Sequence, residues 1–428
     1  VLGDTMIVGR GLGSQGLAAL NISIPLINVF NGFALLFGIG GATALSVNRG
    51  RGEHAGQDLI FTKSLLLSLV VGIILTAVRI FFLDELLYFL GASEATFGMA
   101  KDYLGVLMSF SIAFLLNGTL TVFVRNDGAP GLAMWAMLSG SILNVVLDYV
   151  FIFIFGWGMW GGALATGLAP IAGLLILSTH FIRKKNDIKL TLAKMQANML
   201  GRIIANGTAS FIIELSAGIV IFAFNRVILT IAGDIGVSAY SIVANLSLIC
   251  AAIFTGVGQA IQPLVSVNYG AGKMERVYQV MSLGLYTALA LGLGFYLVGL
   301  AFPEYLVFLF TAKNTELLAT GVQGIRLYFL AFPAMSLNIA ITSYIQSKEQ
   351  GRASFIMSLT RGLGLILLCL LTLPKLFGLN GVWLTMPVTE FLTLILAGFA
   401  LQAARRAVGY TVKRQPLLMR ARRFVRGS

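Results

Sequence analysis

Apolar runs recur along this chain, and that recurrence limits its fold more than any other feature. Eleven stretches follow one another with short polar breaks: 17–47, 59–82, 97–124, 131–155, 161–182, 203–232, 237–267, 277–302, 317–345, 353–376 and 382–404. Each reaches the ~20 apolar residues that carry a helix across a bilayer. Backbone groups in lipid must bond within their own segment, so runs of this length predict helices rather than barrel strands. Only 11% of the 428 residues are charged, against about 25% in soluble domains. The chain is therefore predicted to be an all-α polytopic membrane protein, with no length left for a sizeable soluble domain. A nine-residue stretch, "VLGDTMIVG", stands ahead of the first run and reads as the end of a further span. The first helix is thus expected to be truncated at the N-terminus. No basic, apolar and cleavage regions follow one another there as in a signal peptide.

The net charge of +13 raises the question of nucleic acid, and its placement answers against it. The Lys and Arg residues lie in loops and in the tail, as a topology signal does. One set of loops holds Arg49, Arg51, Arg125, Arg183, Lys184, Lys185, Lys189, Lys194, Arg202, Lys273, Arg276, Lys348 and Arg352, and the tail adds eight more from Arg405 to Arg426. The opposite loops hold Arg10, Lys101, Lys313 and Lys375. Twenty-one against four places the first set and the C-terminus in the cytoplasm by the positive-inside rule. The basic stretch 405–428 is read as a solvated or lipid-facing tail. Cys250 and Cys369 lie inside apolar runs as small packing residues. His54 and His180 stand apart from any ligand cluster, so neither a metal site nor an intramembrane enzyme of the HExxH kind is expected, and no cofactor is required.

The chain also repeats itself. "SVNRGRG" at 46–52 returns as "SVNYGAG" at 266–272, and "LNGTLT" at 116–121 returns as "LNIAIT" at 337–342. Gly158, Gly161 and Leu164 return as Gly378, Gly381 and Leu384. The offsets, 220 or 221, imply six spans per repeat. An even number gives both copies the same orientation, so the two six-helix lobes form a parallel repeat with a pseudo-two-fold axis along the membrane normal. The lobes are expected at 1–182 and 201–404, joined by a basic linker at 183–200. Transporters built this way carry substrate between the halves.

Charge inside a span costs at least ~2.5 kcal/mol on insertion scales, so each such residue is a functional candidate. These are Asp4, Asp148, Glu214, Arg361 and Glu390. Asn144 and Asp148 are four apart and share a helix face. Desolvation disfavours the charged form of a carboxyl group, which suits binding and release of a proton. The same acid with amide and hydroxyl oxygens suits a small hard cation such as Na⁺. The plain alternative is an acid snorkelling from a helix end to the headgroups. For Glu214 it is a packed acid bonded to Ser210 or Ser216. Glu390 stands in a span with Thr385, Thr389 and Thr393, and Arg361 is placed to counter it or to brace two helices; with Glu214 they make a candidate second site in the C-terminal lobe.

"GDTMIVGRGLG", "SVNRGRGE", "FVRNDGAPGLAMWAM", "ILNVVLDYVFIFIFGWGMWGGALAT", "QPLVSVNYGAGKMERV" and "LFGLNGVWLTMPVTE", in that order, resemble the multidrug and toxic compound extrusion (MATE) family, its bacterial MepA-like branch above all. The resemblance implies a two-lobed, twelve-helix antiporter that expels small-molecule organic cations in exchange for H⁺ or Na⁺. It further implies a monomer in the bacterial inner membrane with both termini cytoplasmic. The family's first-helix acid falls on Asp4, its fifth-helix N-x-x-x-D on Asn144 and Asp148, and its sixth-helix threonine on Thr166. Glu214 resembles the seventh-helix acid of Na⁺-coupled NorM members, although "FPAMSLNIAIT" lacks their tenth-helix acid. A lipid-linked saccharide flippase of the same architecture is the alternative, but it calls for a basic groove where the intramembrane charges here are mostly acidic. A channel is less favoured, since nothing resembles a filter ring.

Overall fold

A computed structural model describes residues 2–191, 197–308, 310 and 315–407. All eleven apolar runs lie in helices. In the first half these are α1 (Leu2–Arg51), α2 (His54–Phe89), α3 (Glu94–Ser109), α4 (Ser111–Asn126), α5 (Pro130–Tyr149) and α6 (Gly158–Ile182). The second half holds α7 (Ala197–Gly270), α8 (Met274–Ala301), α9 (Pro303–Phe308), α10 (Thr315–Tyr328), α11 (Phe332–Ser347), α12 (Gly351–Leu359), α13 (Leu365–Phe377) and α14 (Leu379–Ala407). At two places, segments that read as separate spans are joined without a loop. α1 passes from its first segment to its second at Gly13 (φ 68°, ψ −160°), and α7 breaks at Gly233 (φ 58°, ψ −155°). Only glycine adopts that region without strain, and one such residue turns the chain while helix continues on both sides. α7 also begins at Ala197, inside the stretch read as linker. Residues 408–428, most of the expected tail, lie outside the described residues.

The repeat is written into the backbone as well as the letters. Gly13 and Gly233 are 220 apart, as are the kink at Phe82 (φ −136°) and the helix end at Phe302 (φ −131°). The positive-φ turns Gly52 and Gly272, and Gly158 and Gly378, keep the same offset. The run 97–124, expected as one span, is bent by 52° between α3 and α4. Here the Phe110 N–H bonds Leu107 O instead of continuing the ladder, and Ser111 Oγ caps Gly72 O at 2.8 Å. A 3₁₀ turn, Phe329–Ala331, interrupts the second half at the matching place.

Packing follows the repeat with exchanges of chemistry. Gly41 faces Ser64 in the first lobe, whereas Ile261 faces Gly284 in the second. Bulk lost on one helix is regained on its neighbour, which keeps the interior filled. The Arg49–Asp127 ion pair is matched by a cation–π contact, Lys348 over Tyr269 at 5.7 Å. Each lobe has its own apolar core, one around Phe30, Tyr103 and Leu104 and the other around Phe224, Phe254 and Trp383. Large apolar side chains such as Phe81, Ile142 and Phe222 are exposed on the outside, as lipid-facing surface requires.

The lobes meet at the end that carries Arg49 and Lys273. Gly50 packs on the Val267 carbonyl, and Gly270 packs on the Val47 carbonyl. A side chain at either position would strike backbone. Arg125 donates to Gln259 and Gln262 donates to Thr43 at 3.2 Å across the same seam.

Candidate ion site in the N-terminal lobe

α5 is inside-out by the standards of a soluble helix. Ile142 is 62% exposed while Asp148 is 1% exposed, so the helix gives lipid its apolar stripe and turns the 144/148 face inward. That burial excludes a snorkelling acid. A π-helical segment, Val150–Ile154, follows Asp148 directly; such segments widen a helix locally and recur at functional sites.

Four sequence-predicted residues converge here from three helices. Asp4 comes from α1, Asn144 and Asp148 from α5, and Thr166 from α6. Asp4 and Asp148 both lie within reach of one Asn144 amide, which brings the two acids to one place. The Asn144 amide sits between them. In one orientation its nitrogen reaches Asp148 Oδ2 at 3.3 Å and Thr166 Oγ1 at 3.4 Å. Turned over, it donates to Asp4 Oδ1 at 2.9 Å and its oxygen faces the Thr166 N–H at 3.3 Å. Asp148 Oδ1 is buried without a hydrogen-bond partner among the described residues. Tyr103 adds its hydroxyl, 3.3 Å from Thr166 Oγ1. Sequence reasoning missed it, because "AKDYLGVLM" carries no pattern that separates a lining tyrosine from a packed one. The cluster gathers carboxyl, amide and hydroxyl oxygens, the donor set for a proton or a hard cation.

The C-terminal lobe arranges its charges differently. Arg361, in the π-helical segment Thr360–Gly364, holds Glu390 through Nε at 3.0 Å and a second nitrogen at 2.9 Å. Asn338 Nδ2 donates to Glu390 Oε2 at 2.7 Å and to its main-chain oxygen at 2.8 Å. Asn338 lies in the repeated "LNIAIT", and that repetition was the available signal for it. Glu214 does not join this pair. It is half-buried on α7 beside Gly32 of α1. Ser210 bonds Gln346 and Ser216 bonds Ile212 O, so neither serine holds Glu214 as expected of a packed acid.

A family model described as MatE matches residues 2–150 and 209–371. The chain belongs to the MatE family. Within it, the chain is similar to the multidrug export protein MepA of Staphylococcus aureus, strain MRSA252, 26% identical over 399 residues that cover 90% of this chain and 85% of the relative. MepA of Staphylococcus saprophyticus is 25% identical over the same extent. Solved structures share the fold. One is a multidrug resistance MATE family transporter of the MOP superfamily in an outward-facing conformation (TM-score 0.89, 24% identity, 96% of this chain and 92% of that one). Another is a MATE in the straight conformation (TM-score 0.90, 24% identity, 95% and 92%). The matched residues of the MatE chain take in Asp4, Asn144, Asp148, Glu214 and Arg361, while Thr166 and Glu390 fall outside them.

Proposed function

We propose that this MatE protein is a secondary active exporter of organic cations, exchanging them for H⁺ or Na⁺ across a bacterial inner membrane. The observation that carries this reading is the meeting of Asp4 and Asp148 inside the N-terminal lobe, with Asn144 and Thr166 between and beside them. Two acids gathered on one buried amide disfavour being charged together, which makes H⁺ one arm of the test for the coupling ion. The oxygen donors around it make Na⁺ the other arm of the test. Binding the ion neutralises charge in the lobe and weakens its hold on a cationic substrate; losing the ion restores that hold. Differential affinity of this kind is sufficient to shift the population between two conformations. The printed name of the staphylococcal relatives, a multidrug export protein, supports the substrate class.

The close packing at the end bearing Arg49 and Lys273 supports a state shut on the cytoplasmic side, if Lys and Arg mark the inside. The experiment is dye efflux in vesicles under separately imposed proton and sodium gradients. Wild type should export under one of them, and Asp148→Asn should lose most of that coupled rate, since intramembrane acids mark ion and proton pathways. Undiminished coupled efflux by Asp148→Asn would overturn the site.

A further inference from the structure

Glu349 has the wrong backbone for its side chain. It follows α11 with φ 58°, the left-handed position that closes a helix and that glycine usually fills. The Gln350 N–H bonds Ile345 O at 3.4 Å and the Glu349 N–H bonds Gln346 O at 3.0 Å, which is the full Schellman turn. Its repeat counterpart, 221 residues earlier, is Gly128 (φ 86°), where the Ala129 N–H bonds Val124 O in the same way. The second lobe thus keeps a glutamate where the first keeps glycine. Among the described residues, Lys184 is the one other non-glycine with positive φ.

The carboxylate gains three donors there. Arg202 Nε donates to Oε1 and a second guanidinium nitrogen donates to Oε2 at 2.9 Å, a two-pronged grip. Asn206 Nδ2 adds a bond to Oε1 at 3.1 Å. One turn before Glu349, Gln346 Nε2 donates to Asn206 O at 2.6 Å and to Ser210 Oγ at 3.0 Å. Arg202, Asn206 and Ser210 are spaced by four and form one stripe of α7. The neighbouring stripe, Ile203 and Gly207, faces the other lobe: Gly40 of α1 packs on the Ile203 carbonyl and Gly207 on the Leu36 carbonyl. Arg202 also reaches Ala44 O at 3.5 Å. The start of α7 is therefore wedged between the lobes, gripped ionically on one side and held on the other by close backbone packing and the long Arg202–Ala44 bond.

We propose that Glu349 is a positioning residue for transport: it fastens the start of α7 to the C-terminal lobe, so that the lobes part between α1 and α7 and not between α7 and the α11–α12 turn. This rests on the exporter reading above. The test places Thr43→Cys at the seam, in a background with Cys250 and Cys369 replaced by alanine, and reads its maleimide labelling rate. Thr43 is fully buried while the seam is shut, so labelling reports opening and needs no drug. Glu349→Gly suits the turn better but drops the grip; it should change the labelling rate at least ~threefold while the protein elutes as a folded species. A disulfide between Ser210→Cys and Gln346→Cys should restore the parental rate, and in the Glu349 parent it should leave the rate within ~twofold. The inference is overturned if Glu349→Gly labels like the parent, or if the disulfide itself slows labelling tenfold. Arg202→Met removes the same grip and serves if the glycine variant fails to fold. A parent that never labels under any gradient would instead count against the exporter reading.

Discussion

Asp148 and Glu390 are equally buried, each 1% exposed, and lie in opposite lobes of one repeated fold, yet they have been given opposite partners. Glu390 is matched by the Arg361 guanidinium and an asparagine. Asp148 faces a second acid and an amide, and one of its oxygens is left unbonded. Among the described residues no Lys, Arg or His pairs with Asp148. A buried acid with its counter-charge built in gains nothing from binding an ion. One whose neighbour is another acid is incomplete until an ion arrives. The contrast supports the proposed coupling role of the first lobe and a bracing role for the second, although both sites adjoin π-helical segments.

Substitutions can break that contrast. The largest effect on stability should come from Glu390→Ala, which strands the Arg361 charge in a buried site at a cost of about 3–5 kcal/mol. Thermal unfolding followed by size-exclusion fluorescence measures it. Arg361→Met together with Glu390→Gln should recover most of the loss, because removing both charges is often close to neutral. Asp148→Asn should lose coupled transport and keep wild-type thermal stability, so the two acids separate on two readouts. If Asp148→Asn were the one that melted early, the assignment would be reversed. Asn144→Ala comes next, leaving the two acids without their shared amide at about 1–3 kcal/mol, read as a shift in the ion concentration that half-saturates efflux. Tyr103→Phe is the smallest, one 3.3 Å bond to Thr166 worth about 0.5–1.5 kcal/mol. It should change that half-saturation a few-fold and leave the maximal rate alone.

Much of this was legible in the letters, because the bilayer forces the apolar runs into view and the repeat offsets locate the lobes. The Asn144/Asp148 pair was legible for the same reason: polarity at helical spacing inside an apolar run has no cheap explanation. What escaped is what depends on neighbours. Gly13 and Gly233 looked like any glycine in a short break, since only the surrounding helices decide that one residue suffices to turn the chain. The bend at Phe110 sits where Ser111 bonds a carbonyl on another helix, and nothing near Phe110 in sequence announces it. Glu214 was grouped with Arg361 and Glu390 by its lobe and its charge, but its position on α7 turns it towards Gly32 of α1.

The crossed glycines of the seam, Gly50 on Val47's counterpart and Gly270 on Val47 itself, carry one more consequence. A patch that receives its own copy is the signature of an isologous contact, the kind a two-fold dimer makes. This chain holds both partners covalently, so a substitution no longer appears on both sides at once. Each half is free to diverge, as Gly41–Ser64 and Ile261–Gly284 have, while the seam remains bound by the geometry of a homodimer. Gly50→Ala therefore tests one side of a symmetric contact at a time, an asymmetry that no true dimer of identical chains allows.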